Sequence, residues 1–254
     1  MTSNLEDMMP SIKDLKVKLF MDGADFETMK NFYKGGLIKG FTTNPSLMRK
    51  AGVTNYEQFA KAVLAAIPDR PISFEVFSDD FETMELEARK IASWGKSHYV
   101  KIPVTNTRGE SSAPLVKQLS GDGLCLNVTA ILCLDQVETM ARALNPKIPS
   151  VVSVFAGRIA DTGRDPAPLM RKSVEILKSN PKAEVLWAST RELLNIFQAE
   201  ECGCHIITVA PDILKKFELV GKDLGELSLD TVRQFYHDAQ SAGFNLVGKT
   251  AQVK

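Results

Sequence analysis

Short apolar runs rich in Val, Ile and Phe alternate along the chain with stretches whose apolar residues recur at helical spacing, the pattern of a repeated strand–helix unit. The strand-like runs fall at 17–21, 37–41, 71–77, 98–104, 123–129, 150–154, 184–188 and 206–209. Helical periodicity occupies 26–34, 56–66, 80–93, 112–120, 133–143, 166–179, 190–199 and 211–218. A further helix over 228–242 ends near Gly243, a residue suited to a helix C-terminus. Eight strands, each followed by a helix, in 254 residues predict a (β/α)8 TIM barrel with one extra C-terminal helix. A doubly wound sheet is the competing arrangement. It fits less well, because the first run leads into Met21-Asp22-Gly23-Ala24-Asp25, without the three glycines of a dinucleotide turn, and no Gly-x-x-x-x-Gly-Lys-Ser loop occurs. The expectation is a single barrel domain over 1–254, with 1–16 as an N-terminal extension and 228–254 as a terminal helix and tail.

A barrel of this kind does its chemistry where strands end, and here the strand ends carry polar groups. Lys101 lies within His98-Tyr99-Val100-Lys101-Ile102-Pro103-Val104, which otherwise reads as buried sheet. An ammonium taken out of water is expensive, so a lysine there tends toward the neutral amine, a nucleophile for carbonyls and a candidate for Schiff-base chemistry. The plainer alternative is an edge-strand lysine whose head reaches solvent. Strand one runs into Asp22, strand two into Thr42-Thr43-Asn44-Pro45-Ser46, and strand three carries Glu75. Strand five carries Asn127 and Thr129 at alternate positions, hence on one face. Strand six leads through Ser153 to Arg158, and strand seven into Ser189 and Arg191. Singly, Asp22-Gly23 and Asn44-Pro45 read as turns and the arginines as solvated charges. Their joint fall at the strand ends of one barrel argues for a site.

Composition narrows the function classes. Thirty-one basic residues balance thirty-one acidic ones, so no global field recruits nucleic acid or an anionic membrane, although a small anion can still bind locally. Residues 1–14 hold no apolar core of signal-peptide length, and no later run reaches a membrane span, which predicts a soluble, cytoplasmic protein. Four cysteines do not make a disulfide framework. Cys202-x-Cys204 followed by His205 invites a metal reading, but no second ligand pair at zinc spacing appears, and core packing explains the thiols better. His98, His205 and His237 are scattered and receive no catalytic role.

Thr42-Thr43-Asn44-Pro45-Ser46, Val100-Lys101-Ile102-Pro103, Leu126-Asn127-Val128-Thr129, Gly157-Arg158-Ile159 and Ala188-Ser189-Thr190-Arg191 together resemble, in order and at strand ends, the motifs of the transaldolase family. The resemblance runs from about Val17 to the final helix. It implies a (β/α)8 barrel with the reactive lysine on the fourth strand, where Lys101 falls. It also implies that Lys101 attacks the C2 carbonyl of a ketose phosphate to form an iminium, and that Asp22 takes the C4 hydroxyl proton as the C3–C4 bond breaks. The dihydroxyacetone enamine left on Lys101 then adds to an aldose phosphate. By the same resemblance Glu75 and Thr129 hold a water that assists imine formation. Asn44, Asn127 and Ser153 bind the dihydroxyacetone hydroxyls, and Arg158, Ser189 and Arg191 form the phosphate site. No cofactor or metal is implied, and the partners are small sugar phosphates and further copies of the chain in a homo-oligomer.

The related fructose 6-phosphate aldolases carry tyrosine and glutamine where this chain has Phe155 and Glu75. A tyrosine hydroxyl there can position water to release free dihydroxyacetone, so Phe155 favours transfer over cleavage. The chain departs from the common pattern at Val154, usually proline, and at Thr190, usually aromatic, both near the phosphate end. The alternatives are an aldolase that releases dihydroxyacetone and a barrel that binds sugar phosphates without reacting.

Overall fold

The computed structural model describes residues 12–95 and 98–246. Residues 1–11 of the expected N-terminal extension and the tail from 247 lie outside the described residues. The chain divides into two compact units, residues 10–215 and a second that takes in the C-terminal residues from Lys216.

Eight parallel strands close into a barrel in chain order: β1 (Lys18–Asp22), β2 (Gly40–Thr42), β3 (Ile72–Glu75), β4 (His98–Pro103), β5 (Leu126–Ile131), β6 (Ser150–Val154), β7 (Ala183–Trp187) and β8 (Ile206–Val209). Strand β1 pairs with both β2 and β8, which removes any sheet edge. Around them run α1 (Phe26–Lys34), α2 (Pro45–Lys50), α3 (Tyr56–Ala66), α4 (Phe81–Ala92), α5 (Ala113–Gly121), α6 (Leu134–Ala143), α7 (Ala156–Ala160), α8 (Ala167–Leu177), α9 (Leu194–Glu201) and α10 (Pro211–Leu214). The predicted (β/α)8 architecture is the observed one. In the second unit α11 (Leu224–Ser241) is followed by Gly243 at φ 69°.

Helix starts follow short polar side chains. Asp25, Asn44, Asn55 and Asp80 accept hydrogen bonds from the backbone N–H groups of Thr28, Leu47, Gln58 and Thr83, which satisfies donors that the first helical turn leaves unpaired. The Asn44-Pro45 pair, read from sequence as a turn, is the cap and first residue of α2. The predicted helix 190–199 begins only at Leu194, because Asn195 Oδ1 accepts from the N–H groups of Arg191 (2.9 Å) and Glu192 (3.1 Å) and holds a loop there.

Side chains alternate across each strand, and the alternation sorts the interior into layers. Phe20, Tyr99, Val151, Leu186 and Ile206, from five different strands, pack into one apolar cluster inside the barrel. On β4 the opposite face carries His98, whose Nε2 bonds to the Ile91 carbonyl of α4 at 2.8 Å, so that face looks outward. Below the cluster Lys18 Nζ meets Glu184 at 2.6 Å. Two residues further along the same inward face come Asp22, Lys101, Ser153, Ala188 and Thr208. The barrel therefore has an apolar floor and, at the C-terminal mouth, a mostly polar layer.

Gly40 makes room for the floor. A Cβ on this residue would lie 2.4–2.7 Å from the ring atoms of Phe20, well inside contact distance. The ring thus covers a site where β2 offers no side chain. Gly40→Ala should lower stability by about 1–3 kcal/mol through overpacking, read as a fall in the urea midpoint. In a Phe20→Leu background the added loss should shrink; an equal loss in both backgrounds would remove the ring as its cause.

Candidate active site

Lys101 sits mid-strand on β4 with 7% of its surface exposed, so its head does not reach bulk solvent. Its Nζ lies 3.1 Å from Glu75 Oε2 and donates to the Thr43 carbonyl at 3.2 Å. A buried ammonium requires such partners. The strand register supplies them, since Glu75 on β3 and Asn127 on β5 are the direct neighbours of Lys101. Asn127 is fully buried, donating through Nδ2 to Ser73 Oγ at 3.0 Å and accepting from Ser153 Oγ at 2.7 Å. One polar row thereby crosses β3, β4, β5 and β6.

Asp22, at the end of β1, accepts from Thr42 Oγ1 at 2.7 Å. Burial pushes its carboxyl above the ordinary value, although the positive charge of Lys101 and the Thr42 hydrogen bond both pull the other way. Thr129 Oγ1 is buried and has no hydrogen-bond partner. A bulge in β5 between Val128 and Ile131, with Ala130 at φ 62°, sets its position. An orphaned hydroxyl in a polar wall is an invitation to water or to a substrate hydroxyl.

One cavity gathers most of the expected site. Asp22, Asn44, Lys101, Thr129, Ser153, Phe155, Arg158 and Ser189 line it, together with Thr42, Leu186, Ala188 and Thr208. Glu75 and Asn127 do not line it but touch residues that do, Lys101 and Ser153 respectively. Arg191 is engaged elsewhere: its Nε and Nη2 donate to the two carboxylate oxygens of Asp161 at 3.0 and 2.5 Å. Arg158 is the guanidinium that opens on the cavity, with its Cζ 5.8 Å from the centre of the Phe155 ring. Thr42 received no role from the sequence, and Thr208 was not singled out. The available signal was a lone hydroxyl at the end of Ile-Ile-Thr-Val, in step with the polar ends of the other strands.

The mouth is tightly built at α7. A Cβ on Gly157 would fall 1.6 Å from the Ser189 carbonyl oxygen, so only glycine lets α7 press against the loop after β7. Ser189 itself lies at φ 64°, a left-handed conformation that costs a non-glycine residue about 1 kcal/mol or more.

The family model described as Transaldolase/Fructose-6-phosphate aldolase matches residues 19–251. The chain belongs to this family. A probable transaldolase from Methanococcus maripaludis (strain C7) is 35% identical over 79% of this chain and 89% of its own length. Probable transaldolases from Pelotomaculum thermopropionicum and Clostridium acetobutylicum are each 35% identical, covering 87% and 88% of this chain and 97% and 99% of their own. Among solved structures, KGPDC from Streptococcus mutans superposes with a TM-score of 0.54 at 12% identity, over 78% of this chain and 90% of that one. A putative dihydrodipicolinate synthase family protein from Coccidioides immitis gives 0.52 at 15%, over 79% of this chain and 68% of that one. At such identities these two share the barrel fold with the transaldolase/aldolase family, and that alone.

The Asp22 environment makes a prediction about stability. Its folded carboxyl titrates above the ordinary 3.8, so between those two values the native chain binds more protons than the unfolded one, and stability falls as pH rises through that window. Asp22→Asn removes the titration. The variant should melt above the parent at neutral pH, by about 2–4 °C for each kcal/mol gained in a domain of this size, and the gap should close as pH falls through the raised value. A gap that widens on the acid side would contradict this assignment.

Proposed function

We propose that this protein is a transaldolase that moves a dihydroxyacetone unit from a ketose phosphate, such as fructose 6-phosphate or sedoheptulose 7-phosphate, to an aldose phosphate through an imine on Lys101. The observation that carries this reading is a buried lysine amine, ion-paired with Glu75, opening on the same cavity as a partly buried carboxylate, Asp22. Neither is needed to hold a barrel together, and together they provide a nucleophile and a base.

The sequence of steps follows from the groups present. Glu75, 3.1 Å from Nζ, accepts the ammonium proton, and the free amine attacks the donor's C2 carbonyl. The carbinolamine then loses its hydroxyl as water, with the proton returned through Glu75 and a water on the unpaired Thr129 hydroxyl. The iminium draws the electrons of the C3–C4 bond as Asp22 takes the C4 hydroxyl proton, and the aldose phosphate leaves. The enamine on Lys101 adds to the acceptor aldehyde, Asp22 returns the proton to the new hydroxyl, and water hydrolyses the imine. Asn44 and Ser153 lie where they can bond the dihydroxyacetone hydroxyls, with Asn127 fixing Ser153. Arg158 and Ser189 at the mouth suit a phosphate, as a guanidinium offers paired donors to its oxygens. No cofactor enters these steps.

Transfer is preferred over release because Phe155 places a ring on the cavity wall, and the ring has no hydroxyl to order a water toward the enamine. We further infer a cytoplasmic homo-oligomer. Leu229, Val232, Phe235 and Tyr236 of α11 are exposed and supply apolar surface of the kind subunit contacts cover.

Two experiments test the reading. Incubation with fructose 6-phosphate and borohydride should leave a dihydroxyacetone-sized adduct on Lys101 in a peptide map. Lys101→Met should form none and lose turnover by roughly 10³-fold or more while remaining folded by circular dichroism; retained transfer would end the mechanism. Phe155→Tyr should raise free dihydroxyacetone relative to transfer product, and an unchanged product ratio would remove Phe155 as the determinant.

A further inference from the structure

The side chains of Thr42 and Thr208 make a contact to which the mechanism assigns no task. They come from β2 and β8, the two strands that flank β1, and both line the cavity beside Asp22. Thr42 Oγ1 stands 2.7 Å from Asp22 Oδ1 and 2.5 Å from Thr208 Oγ1. A hydroxyl has one proton to give. With the Asp22 carboxylate able only to accept, the Thr42 proton is committed to it, so the proton in the second contact belongs to Thr208. The direction is fixed: Thr208 donates to Thr42, and Thr42 donates to Asp22. Both threonines are buried, Thr208 with 6% and Thr42 with 2% of its surface exposed, so little of the chain is open to water. The Thr208 carbonyl in turn accepts from Thr190 Oγ1 at 2.7 Å, which ties this end of β8 to the loop that carries Ser189 and Arg191.

We propose that Thr208 is a positioning residue for Asp22. Acting through Thr42, it fixes Oδ1 of the carboxylate, and Oδ2, for which no hydrogen bond is found among the described residues, is left to take the substrate's C4 hydroxyl proton. A hydroxyl that accepts a hydrogen bond is polarised and becomes a better donor, so the outer threonine strengthens the inner contact as well as orienting it. The inference rests on reading Asp22 as the base of donor cleavage. The charges that face Asp22 are Lys101 from β4, with Glu75 of β3 behind it, and Arg158 of α7 across the same cavity. Strands β2 and β8, packed on either side, present only the two hydroxyls. Changing Thr208 leaves every one of those charges in place.

Thr208→Val and Thr208→Ala remove the hydroxyl with and without the methyl groups, and Thr208→Ser keeps it. Donor cleavage is followed against pH, and the Asp22 carboxyl is titrated by carbon-13 NMR. Loss of the hydroxyl should lower kcat roughly ten-fold with KM little changed. It should also raise the Asp22 midpoint and carry the acid limb of the pH profile to higher pH, because a hydrogen bond favouring the charged form has been weakened. Thr208→Ser should match the parent, and borohydride trapping at Lys101 should be unaffected in all three. An unchanged Asp22 midpoint in Thr208→Val and Thr208→Ala, or a Thr208→Ser as impaired as they are, would overturn the proposal. A parent that forms no imine at all would instead defeat the functional reading, and the NMR midpoints would still decide the hydrogen-bond chain.

Discussion

The ion pair between Lys101 and Glu75 is the constraint on which the interior is organised. Two opposite charges withdrawn from water inside a barrel attract strongly, yet each also loses several kcal/mol of hydration, so the pair survives only where further hydrogen bonds complete it. The Thr43 carbonyl provides one such bond at 3.2 Å. The register of β3, β4 and β5 makes the pairing unavoidable, because Glu75, Lys101 and Asn127 are adjacent across three strands. Once those three occupy the inner face, the next strand must answer Asn127, and Ser153 does so at 2.7 Å. The polar ring is thus a consequence of one buried charge and the geometry of parallel pairing, not a set of independent choices.

That ring is usable only because it rests on something dry. Phe20, Tyr99, Val151, Leu186 and Ile206 close the barrel beneath it, so water reaches the polar layer from the mouth side. The two layers are separated by a single step of the strand period. A one-residue slip on any strand would exchange an apolar inward residue for an outward one and open the floor. Gly40 shows how closely the floor is fitted, since the Phe20 ring occupies the space its side chain would need.

The alternation of strands and helices was legible because each carries its own period, and β6, β8, α1 and α3 begin and end where the pattern puts them. The candidate site was legible at strand ends, where a polar residue interrupts an apolar run and where most of the named residues line one cavity. What escaped was of three kinds. Short elements such as α2 and α7 have too few residues to show a period, and α2 was hidden behind a cap that also starts turns. Residues whose role is to bond another side chain leave no spacing signal, which is why Thr42 and Thr208 stood out only once β1, β2 and β8 were neighbours. The engagement of Arg191 also depended on a distant residue, since Asp161 lies thirty positions earlier.

The Arg191–Asp161 pair bears on the phosphate site proposed at the cavity mouth. With both carboxylate oxygens of Asp161 taken by Nε and Nη2, Arg191 presents a guanidinium whose charge is already largely balanced. Exposed pairs of this sort contribute little to stability, about 0–1 kcal/mol, so the arrangement is better understood as orientation than as reinforcement. Gly157 presses α7 against Ser189 and brings the Arg191 stem within 3.2 Å of where its side chain would begin. The left-handed turn at Ser189 is held by the same packing. In the transfer proposed above, the phosphate meets Arg158 first, because Arg158 is the guanidinium that lines the cavity. By the same proposal Arg191 is a second donor, available only to the extent that the ligand competes with Asp161. On that reading, the choice among anions depends on the Arg191–Asp161 contact as well as on the arginines themselves.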